Sequence, residues 1–437
     1  MIYAQAMDNP GAAPGFSQTT NMVASVQEGI PNSAAPLADP FPTGILRPVG
    51  SGDGLATGLG QGIAFADPNM NIPRTQQYSL NVQHQFGANW LASVAYVGTY
   101  ISRLPVSHDI NYLPLSALNL GAATLTQSVA NPSLAASSVT GNAPYLSLLA
   151  GTYLAAPTVQ EQQLLVPYPQ FPISNNPDQS AATGGVVEEF IPIGKDKYNG
   201  LQLDLNKRMS AGVDFDANFT WSKTMQQMAF LNPTDPAPAW SISPYDYPEV
   251  FHLTGVWDLP FGPGMRFAHS AGPFLSRLVG GWSASSLFEW QAGNPLPFPL
   301  GVAPTGNPES TPNQSINRWF NTCTELLNGS TTDCRPGEKP AWKTLEPFQL
   351  MTWSPYISQI RLPEVTDLEL SVAKTTQIKE RYTLKFRADF INATNTTQWF
   401  NNGPDTTATD SAFGAFANFT TPSNDPRVIM LSLRFEF

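Results

Sequence analysis

The chain has 437 residues, of which 13% are charged and 11% are aromatic, and its formal net charge is −11. The charged fraction is about half the roughly 25% of an ordinary soluble domain. No basic run is present to neutralise a phosphate backbone, which argues against nucleic acid as a partner, and no stretch of about 18 apolar residues is present to cross a membrane as a helix.

The first segment with a clear period covers residues 78–86 and predicts a strand. Apolar and polar residues alternate along it, which is typical of a strand with two unlike faces. The apolar face carries Tyr78, Leu80, Val82 and Phe86. A second predicted strand, residues 90–100, follows Gly87, Ala88 and Asn89, so the pair forms a hairpin with a tight turn.

Three further hairpins and one last strand follow in chain order. The predicted strands cover residues 201–206, 213–221, 251–259, 281–291, 366–377, 382–391 and 429–437. The last strand places its apolar residues on one face, which we expect to meet lipid: Ile429, Leu431, Leu433, Phe435 and Phe437. The other face, with Ser432, Arg434 and Glu436, suits a polar lumen.

Strand length and loop length favour a membrane barrel over a β-sandwich. Many of the strands have about ten residues, close to the roughly 9–11 that cross a bilayer at a tilt and longer than the usual five or six. Short turns alternate with long polar loops at residues 101–197, 223–249, 292–362 and 392–426. The predicted fold class is all-β, an antiparallel transmembrane β-barrel, here a partial barrel of about nine meander strands with short periplasmic turns and long extracellular loops.

Tryptophan and tyrosine residues lie at or near the ends of the predicted strands. Barrels place such aromatics at the headgroup level on both sides of the membrane. The alternative interpretation is packing in the core of a sandwich. The residues concerned are Trp90, Tyr100, Trp221, Trp257, Trp282 and Trp290.

The strand count also predicts a division of the chain. Single-chain bacterial barrels have even strand numbers, so nine strands indicate part of a barrel. We expect residues 1–76 to be a long extracellular loop and the remnant of a preceding barrel region, and residues 77–437 to be the C-terminal part of the barrel. The first and last strands would then be open edges, which favours association with other chains.

The two cysteines, Cys323 and Cys334, enclose a short polar stretch in the third long loop. They lack the C-x-x-C spacing of a zinc or thioredoxin-type site. We expect a disulfide between them, which implies an oxidising envelope or extracellular compartment.

Several segments, taken in order, resemble the C-terminal portion of TonB-dependent outer-membrane receptors of the Oar-like branch. The segments are DPNMNIPRTQQYSLNVQHQF, WLASVAYVGTY, LLVPYPQF, YNGLQLDLNKRMSAGVDFDANFTWSKTM, FHLTGVWDLPFGPG, GGWSASSLFEWQAGNPLPF, YTLKFRADFINATN and PRVIMLSLRFEF. Two departures affect loops and strand ends. YDYPEV stands where the family usually carries basic residues, and Asn392, Ala393, Thr394 and Asn395 replace an NLFN-like turn.

The resemblance implies a receptor and transporter of the cell outer membrane, whose external loops capture a ligand. It implies outer-membrane lipid as a partner, and the barrel-assembly machinery, because the strand ending at Phe437 resembles the C-terminal assembly signal. It further implies the TonB energy-transducing complex, which would act through a plug domain that this chain lacks, as it lacks the signal peptide and the first half of the barrel. The ligand is an unknown small molecule; siderophore, oligosaccharide and peptide stay open, and no ligand-binding residue is assigned.

The alternative function is a passive outer-membrane porin or a surface adhesin built on the same barrel. An enzyme is not predicted, because the sequence contains no H-E-x-x-H, G-x-S-x-G, G-x-x-x-x-G-K-[ST] or paired C-x-x-C motif. No catalytic residue, cofactor or metal site is assigned.

Overall fold

The computed structural model describes residues 44–132, 152–173, 185–262, 264–268, 272–309, 314–379, 381–398, 403–416 and 424–437, and a few positions before residue 44. Nine long strands lie within these residues. They are β1 (Arg74–Phe86), β2 (Trp90–Asp109), β3 (Val186–Ser210), β4 (Val213–Ala229), β5 (Glu249–Asp258), β6 (Trp282–Gln291), β7 (Val365–Lys379), β8 (Tyr382–Ile391) and β9 (Val428–Glu436).

The nine strands pair in chain order, from β1 to β9, in one sheet. Neighbouring strands from β3 to β9 pair antiparallel. Two short strands join the sheet at its side: Ile63–Ala66 pairs with β3, and Ala239–Ile242 pairs with β4. Among the described residues, β1 and β9 are the two ends of this strand order. The predicted all-β meander is confirmed.

Three strands extend eight or more residues beyond their predicted bounds. β2 continues to Asp109 and β3 begins at Val186, so strand structure covers both ends of the predicted loop at residues 101–197. β4 likewise continues to Ala229. Apolar and polar residues need to alternate only where one face of a strand meets lipid. Where strands continue to pair outside the membrane, their sequence shows no two-residue period.

The chain divides into two compact units: Met1–Arg74, Ser102–Gly194 and Met228–Pro238 form the first, and Thr75–Ile101, Lys195–Gln227 and Ala239–Phe437 form the second. The predicted division at residue 76 stays a prediction.

The first unit consists of short elements packed around small apolar and polar clusters. Leu59 and Leu154 form one apolar cluster. The buried Asn111 side chain donates to the carbonyl of Phe171 at 3.0 Å and accepts from the amide of Tyr168 at 2.9 Å, which fixes this connection. Its described elements are strands Ser25–Gln27, Ile30–Pro31, Ile63–Ala66, Ser128–Ala130 and Thr158–Gln160, helices Leu115–Leu118, Ala122–Leu125 and Glu161–Leu164, and 3-10 turns Gly54–Ala56 and Tyr153–Ala155.

The second unit adds one helix and several short strands to the long ones. They are helix Pro273–Val279 and strands Ala239–Ile242, Pro295–Pro297, Val302–Pro304, Thr324–Glu325, Thr331–Thr332, Trp342–Thr344 and Tyr356–Arg361. No helix in the described part of the chain has the length and apolar character to cross a membrane.

The register of the sheet separates an apolar face from a polar face. Leu431 of β9 lies opposite Ala388 of β8, and Leu433 lies opposite Phe386. Between them on the other face, Ser432 lies opposite Arg387. Leu431 is 69% exposed. An exposed row of large apolar side chains on one face is what a strand in contact with lipid requires.

Aromatic residues mark both ends of the apolar face. On β6, Trp282 follows the connection of residues 259–281, which lies at the same rim as the tight turns after β1 and β3, and Trp290 lies near the long loop. Eight residues at about 3.3 Å each separate them by about 26 Å along the strand, close to the apolar band of about 25 Å in outer-membrane barrels before tilt is considered. We call the sheet end beside Trp282 the short-turn rim and the end beside Trp290 the long-loop rim.

Candidate functional site

The long connection between β6 and β7 folds into a small apolar core at the long-loop rim. Strand Pro295–Pro297 pairs with Tyr356–Arg361, and Val302–Pro304 pairs with Trp342–Thr344. These pairings bring distant parts of the connection together around Trp342, whose side chain is fully buried. The core consists of Leu296, Val302, Phe320, Ala341, Trp342, Ile357 and Ile360 from this connection, and of Phe413 from the connection between β8 and β9.

An ion pair fixes this core to the neighbouring connection between β4 and β5. Arg361 Nη2 lies 2.7 Å from Asp246 Oδ2, and Asp246 is 1% exposed. The same guanidinium donates to the carbonyl of Gly293 at 3.0 Å. The Arg361 side chain therefore links the start and the end of the β6–β7 connection to the β4–β5 connection.

A disulfide and a second ion pair fix the outer part of the connection. Cys323 is buried and bonded to Cys334, with 4.2 Å between the two Cα atoms. The carbonyl of Cys323 accepts from the amide of Ala341 at 3.0 Å. Arg318 pairs with Glu338. These links hold the segment that precedes Trp342 in place.

A pocket with aromatic walls lies beside this core. Its aromatic lining residues are Trp240, Phe298, Tyr356 and the buried Trp342. Phe298 packs edge to face on Trp342, with 5.3 Å between ring centroids. Trp240 is 44% exposed, so its ring is accessible. Polar groups also line the pocket: Lys223, Ser241, Ser354, Ser358 and Gln359.

The polar groups of the pocket suit a ligand with anionic or hydroxyl groups. Among its described lining residues, Lys223 carries the only charge. Burial raises the pKa of the Tyr356 phenol, and the nearby Tyr245 adds to the effect. Tyr356 therefore stays protonated at neutral pH and can donate a hydrogen bond. Aromatic rings for stacking and a few donors for orientation are the usual composition of a small-molecule site.

A second cavity lies on the polar face of the sheet, between the two rims. Asp214, Asp216, Glu369, Arg387 and Asp389 line it. Arg387 Nε donates to Asp389 Oδ1 at 2.7 Å and to Ser371 Oγ at 3.0 Å. In the described part of the chain, no group of three or more His, Cys, Asp or Glu side chains is placed to hold a metal ion. This face offers a hydrated polar surface.

The residues selected from the sequence lie in different places. Cys323, which is buried, and Cys334, which is exposed, lie in the outer part of the connection between β6 and β7, whereas Ile429, Leu431, Leu433 and Phe435 lie on the apolar face of β9, at the sheet edge. Phe437 follows β9 and is 94% exposed. Sequence analysis did not find the pocket residues. The one available signal was the density of aromatic residues in the loop segments around residues 240, 298 and 342–356.

Comparison with known proteins gives one family match. The sequence matches the family described as outer membrane beta barrel domain over residues 2–429. No curated protein matches it.

Solved structures of outer-membrane proteins resemble the chain weakly. They include the outer membrane transporter YddB from Escherichia coli (10% identity, TM-score 0.34, 86% of this chain and 34% of that chain) and the ferripyoverdine receptor of the outer membrane of Pseudomonas aeruginosa (10% identity, TM-score 0.33, 84% and 28%). The ferric-catecholate import receptor Fiu from E. coli K12 is a third (8% identity, TM-score 0.32, 85% and 28%). The chain thus spans between 28% and 34% of the length of these structures.

Proposed function

This chain belongs to the outer membrane β-barrel domain family, and we propose that within it the chain is the ligand-capturing part of a TonB-dependent receptor and transporter. The predicted outer-membrane location is confirmed by the family, which is a barrel family and not an enzyme family. The further steps of the proposal concern the ligand, the route and the energy source.

The observation that carries the proposal is the aromatic pocket at the long-loop rim. In outer-membrane barrels the long loops are extracellular and the short turns periplasmic. Trp240 and Tyr356 then face the side from which a ligand arrives. A surface that captures ligands must keep its shape, and the Arg361–Asp246 ion pair supports this one.

The pocket favours a small ligand that combines a flat or ring-shaped apolar part with a negative or hydroxylated part. Trp240 supplies an accessible ring for stacking, and Lys223 supplies a positive charge. Siderophores, oligosaccharides and peptides include molecules of this description. The polar face with Asp214, Asp216 and Arg387 would form part of the hydrated route below the pocket.

Uptake against a gradient requires an energy source and an occluding plug. We infer that a plug domain that contacts the TonB complex supplies both, and that the barrel-assembly machinery recognises β9. A passive porin or an adhesin would need neither plug nor TonB.

The test is a binding and uptake screen with the full-length gene in outer membranes, using pools of siderophores, oligosaccharides and peptides. Trp240→Ala should weaken binding of the captured compound about tenfold, which is typical of a buried aromatic contact. Tyr168→Ala, which alters an exposed aromatic outside the pocket, should bind as the wild type does.

Two results would contradict the proposal. Equal binding by the wild type and Trp240→Ala would show that the pocket does not capture the ligand. Uptake that continues unchanged in cells without TonB would favour the porin.

A further inference from the structure

The connection between β5 and β6, at the short-turn rim, has an unusual charge. Residues 259–281 contain Arg266 and Arg277 and no Asp or Glu, in a chain with a net charge of −11. Basic residues beside a membrane attract anionic headgroups. The connection therefore combines positive charge with a position at the membrane surface.

The helix in this connection, Pro273–Val279, exposes apolar side chains. Phe274 is 83% exposed and Leu278 is 57% exposed. Because residues three and four apart share one side of a helix, Phe274 lies beside both Leu278 and Arg277. Apolar residues with an adjacent basic residue are typical of helices that lie in the membrane interface.

The end of this helix is attached to the apolar face of the sheet. Trp282 Nε1 donates to the carbonyl of Leu278 at 3.0 Å. Lys374 Nζ donates to the same carbonyl at 2.9 Å and to that of Gly280 at 2.7 Å. Trp282 and Lys374 lie opposite each other in the register of the apolar face. The exposed side of the helix is therefore continuous with the surface that meets lipid.

A shallow apolar groove begins next to this attachment. Ala284 lies two residues after Trp282, so it is on the same face of β6 and about 7 Å further along the strand. Gly255 lies opposite Ser286, so three small residues, Gly255, Ala284 and Ser286, leave a depression on the apolar face. Larger apolar side chains border it: Phe215, Leu253, Trp257 and Leu370.

We propose that the helix and the groove together bind a phospholipid with an anionic headgroup. The headgroup phosphate contacts Arg277, one acyl chain lies in the groove over Gly255 and Ala284, and Phe274 and Leu278 insert at the headgroup level. The proposal uses the membrane-facing surface alone and does not depend on the ligand pocket at the other rim.

The charge and the shape of this surface both favour such an occupant. Arg277 can extend its apolar stem along the helix and keep its guanidinium in the headgroup layer. A groove lined mainly by apolar groups, with the Ser286 hydroxyl among the three small residues of its floor, suits an acyl chain better than a hydrated solute. Neither feature alone identifies a lipid, but the structure places them next to each other on one face.

The test uses the full chain extracted from outer membranes in detergent and freed of lipid. Phosphatidylglycerol and phosphatidylcholine with identical acyl chains are then titrated, and bound lipid is counted by native mass spectrometry. The wild type should bind phosphatidylglycerol about tenfold more tightly than phosphatidylcholine, the effect expected of one or two basic residues.

Two variants separate the headgroup from the acyl chain. Arg277→Glu should remove the preference for phosphatidylglycerol, whereas Arg47→Glu, a reversal at an exposed site outside the connection, should keep it. Ala284→Phe fills the groove and should weaken binding of both lipids. Ala92→Phe, on the apolar face of the sheet in β2 but outside the groove, should leave the binding of both lipids unchanged.

Three outcomes would overturn the proposal. The first is that Arg277→Glu prefers phosphatidylglycerol over phosphatidylcholine as strongly as the wild type does. The second is unchanged lipid binding in Ala284→Phe. The third is displacement of the lipid by inorganic phosphate at equal concentration, which would identify a phosphate site without an acyl-chain site.

Discussion

Arg361 and Asp246, 115 positions apart in the chain, form a buried ion pair with 2.7 Å between Nη2 and Oδ2. Asp246 belongs to the connection after β4, and Arg361 closes the folded connection after β6. Their contact positions the segments that carry Trp240 and Tyr356, so the pocket depends on it.

Arg361→Gln should destabilise this region strongly. The variant leaves the Asp246 carboxylate buried without its charged partner, which costs about 3–5 kcal/mol in comparable cases. Hydrogen exchange of residues 293–309 and 342–361 should become much faster. Lys385→Gln is the matched control, because its partner Glu436 is exposed, and it should leave exchange in these segments as it was. Equal exchange in Arg361→Gln and the wild type would be evidence against the role of the pair.

Leu431→Arg and Ser432→Arg should differ in their effect on unfolding. Leu431 lies on the apolar face and Ser432 on the polar face of the same strand. Arginine near the bilayer midplane costs about 2–4 kcal/mol on the lipid side. Ser432→Arg meets Arg387 across the strands, a like-charge contact that costs at most about 1 kcal/mol. Denaturant titration in bilayers measures both, and equal losses would contradict the assignment of faces.

The Cys323–Cys334 disulfide should be present in protein taken from the envelope. Mass spectrometry without reduction is expected to find one linked peptide pair. By the chain-entropy estimate, closing so short a loop contributes about 3 kcal/mol to local order. Replacing both cysteines by serine should therefore speed hydrogen exchange around Trp342 and leave β7 and β8 unaffected. Two alkylatable thiols in native material would contradict the expectation.

Gly281→Ala should destabilise the start of β6. Gly281 has φ of 74°, and a Cβ there would lie 2.2 Å from the carbonyl oxygen of Thr375. The left-handed conformation alone costs a non-glycine residue about 1–2 kcal/mol, and the close contact adds to it. At Gly272 an added Cβ meets nothing within 4 Å, so Gly272→Ala serves as the control in thermal unfolding. Similar midpoints for the two variants would count against this geometry.

The strands could be predicted from the sequence because one face of each must be apolar. Period-two alternation located Tyr382–Ile391 without error and the bounds of β5, β6, β7 and β9 to within two residues. The same reasoning missed the part of β2 beyond residue 100, where Arg103 has a positive φ, and it also missed the start of β3 and the end of β4.

The pocket and the lipid-facing helix could not be predicted in the same way. Trp240, Phe298 and Tyr356 lie in connections whose contacts are set by pairing between distant short strands, and such pairing leaves no period in the sequence. Helix Pro273–Val279 has seven residues between glycines, too few to show a helical period. The Cys323–Cys334 pairing could be proposed because the chain contains two cysteines.

Spin-label accessibility along β9 tests most directly whether this sheet crosses the outer membrane with one face in lipid. Each residue of Val428–Glu436 is replaced in turn by a nitroxide-labelled cysteine in the bilayer-inserted chain. We expect labels at positions 429, 431, 433 and 435 to contact oxygen dissolved in lipid, and those at 430, 432 and 434 to contact a water-soluble nickel complex. Accessibility without a two-residue period along this strand would show that β9 does not cross the membrane with one face in lipid.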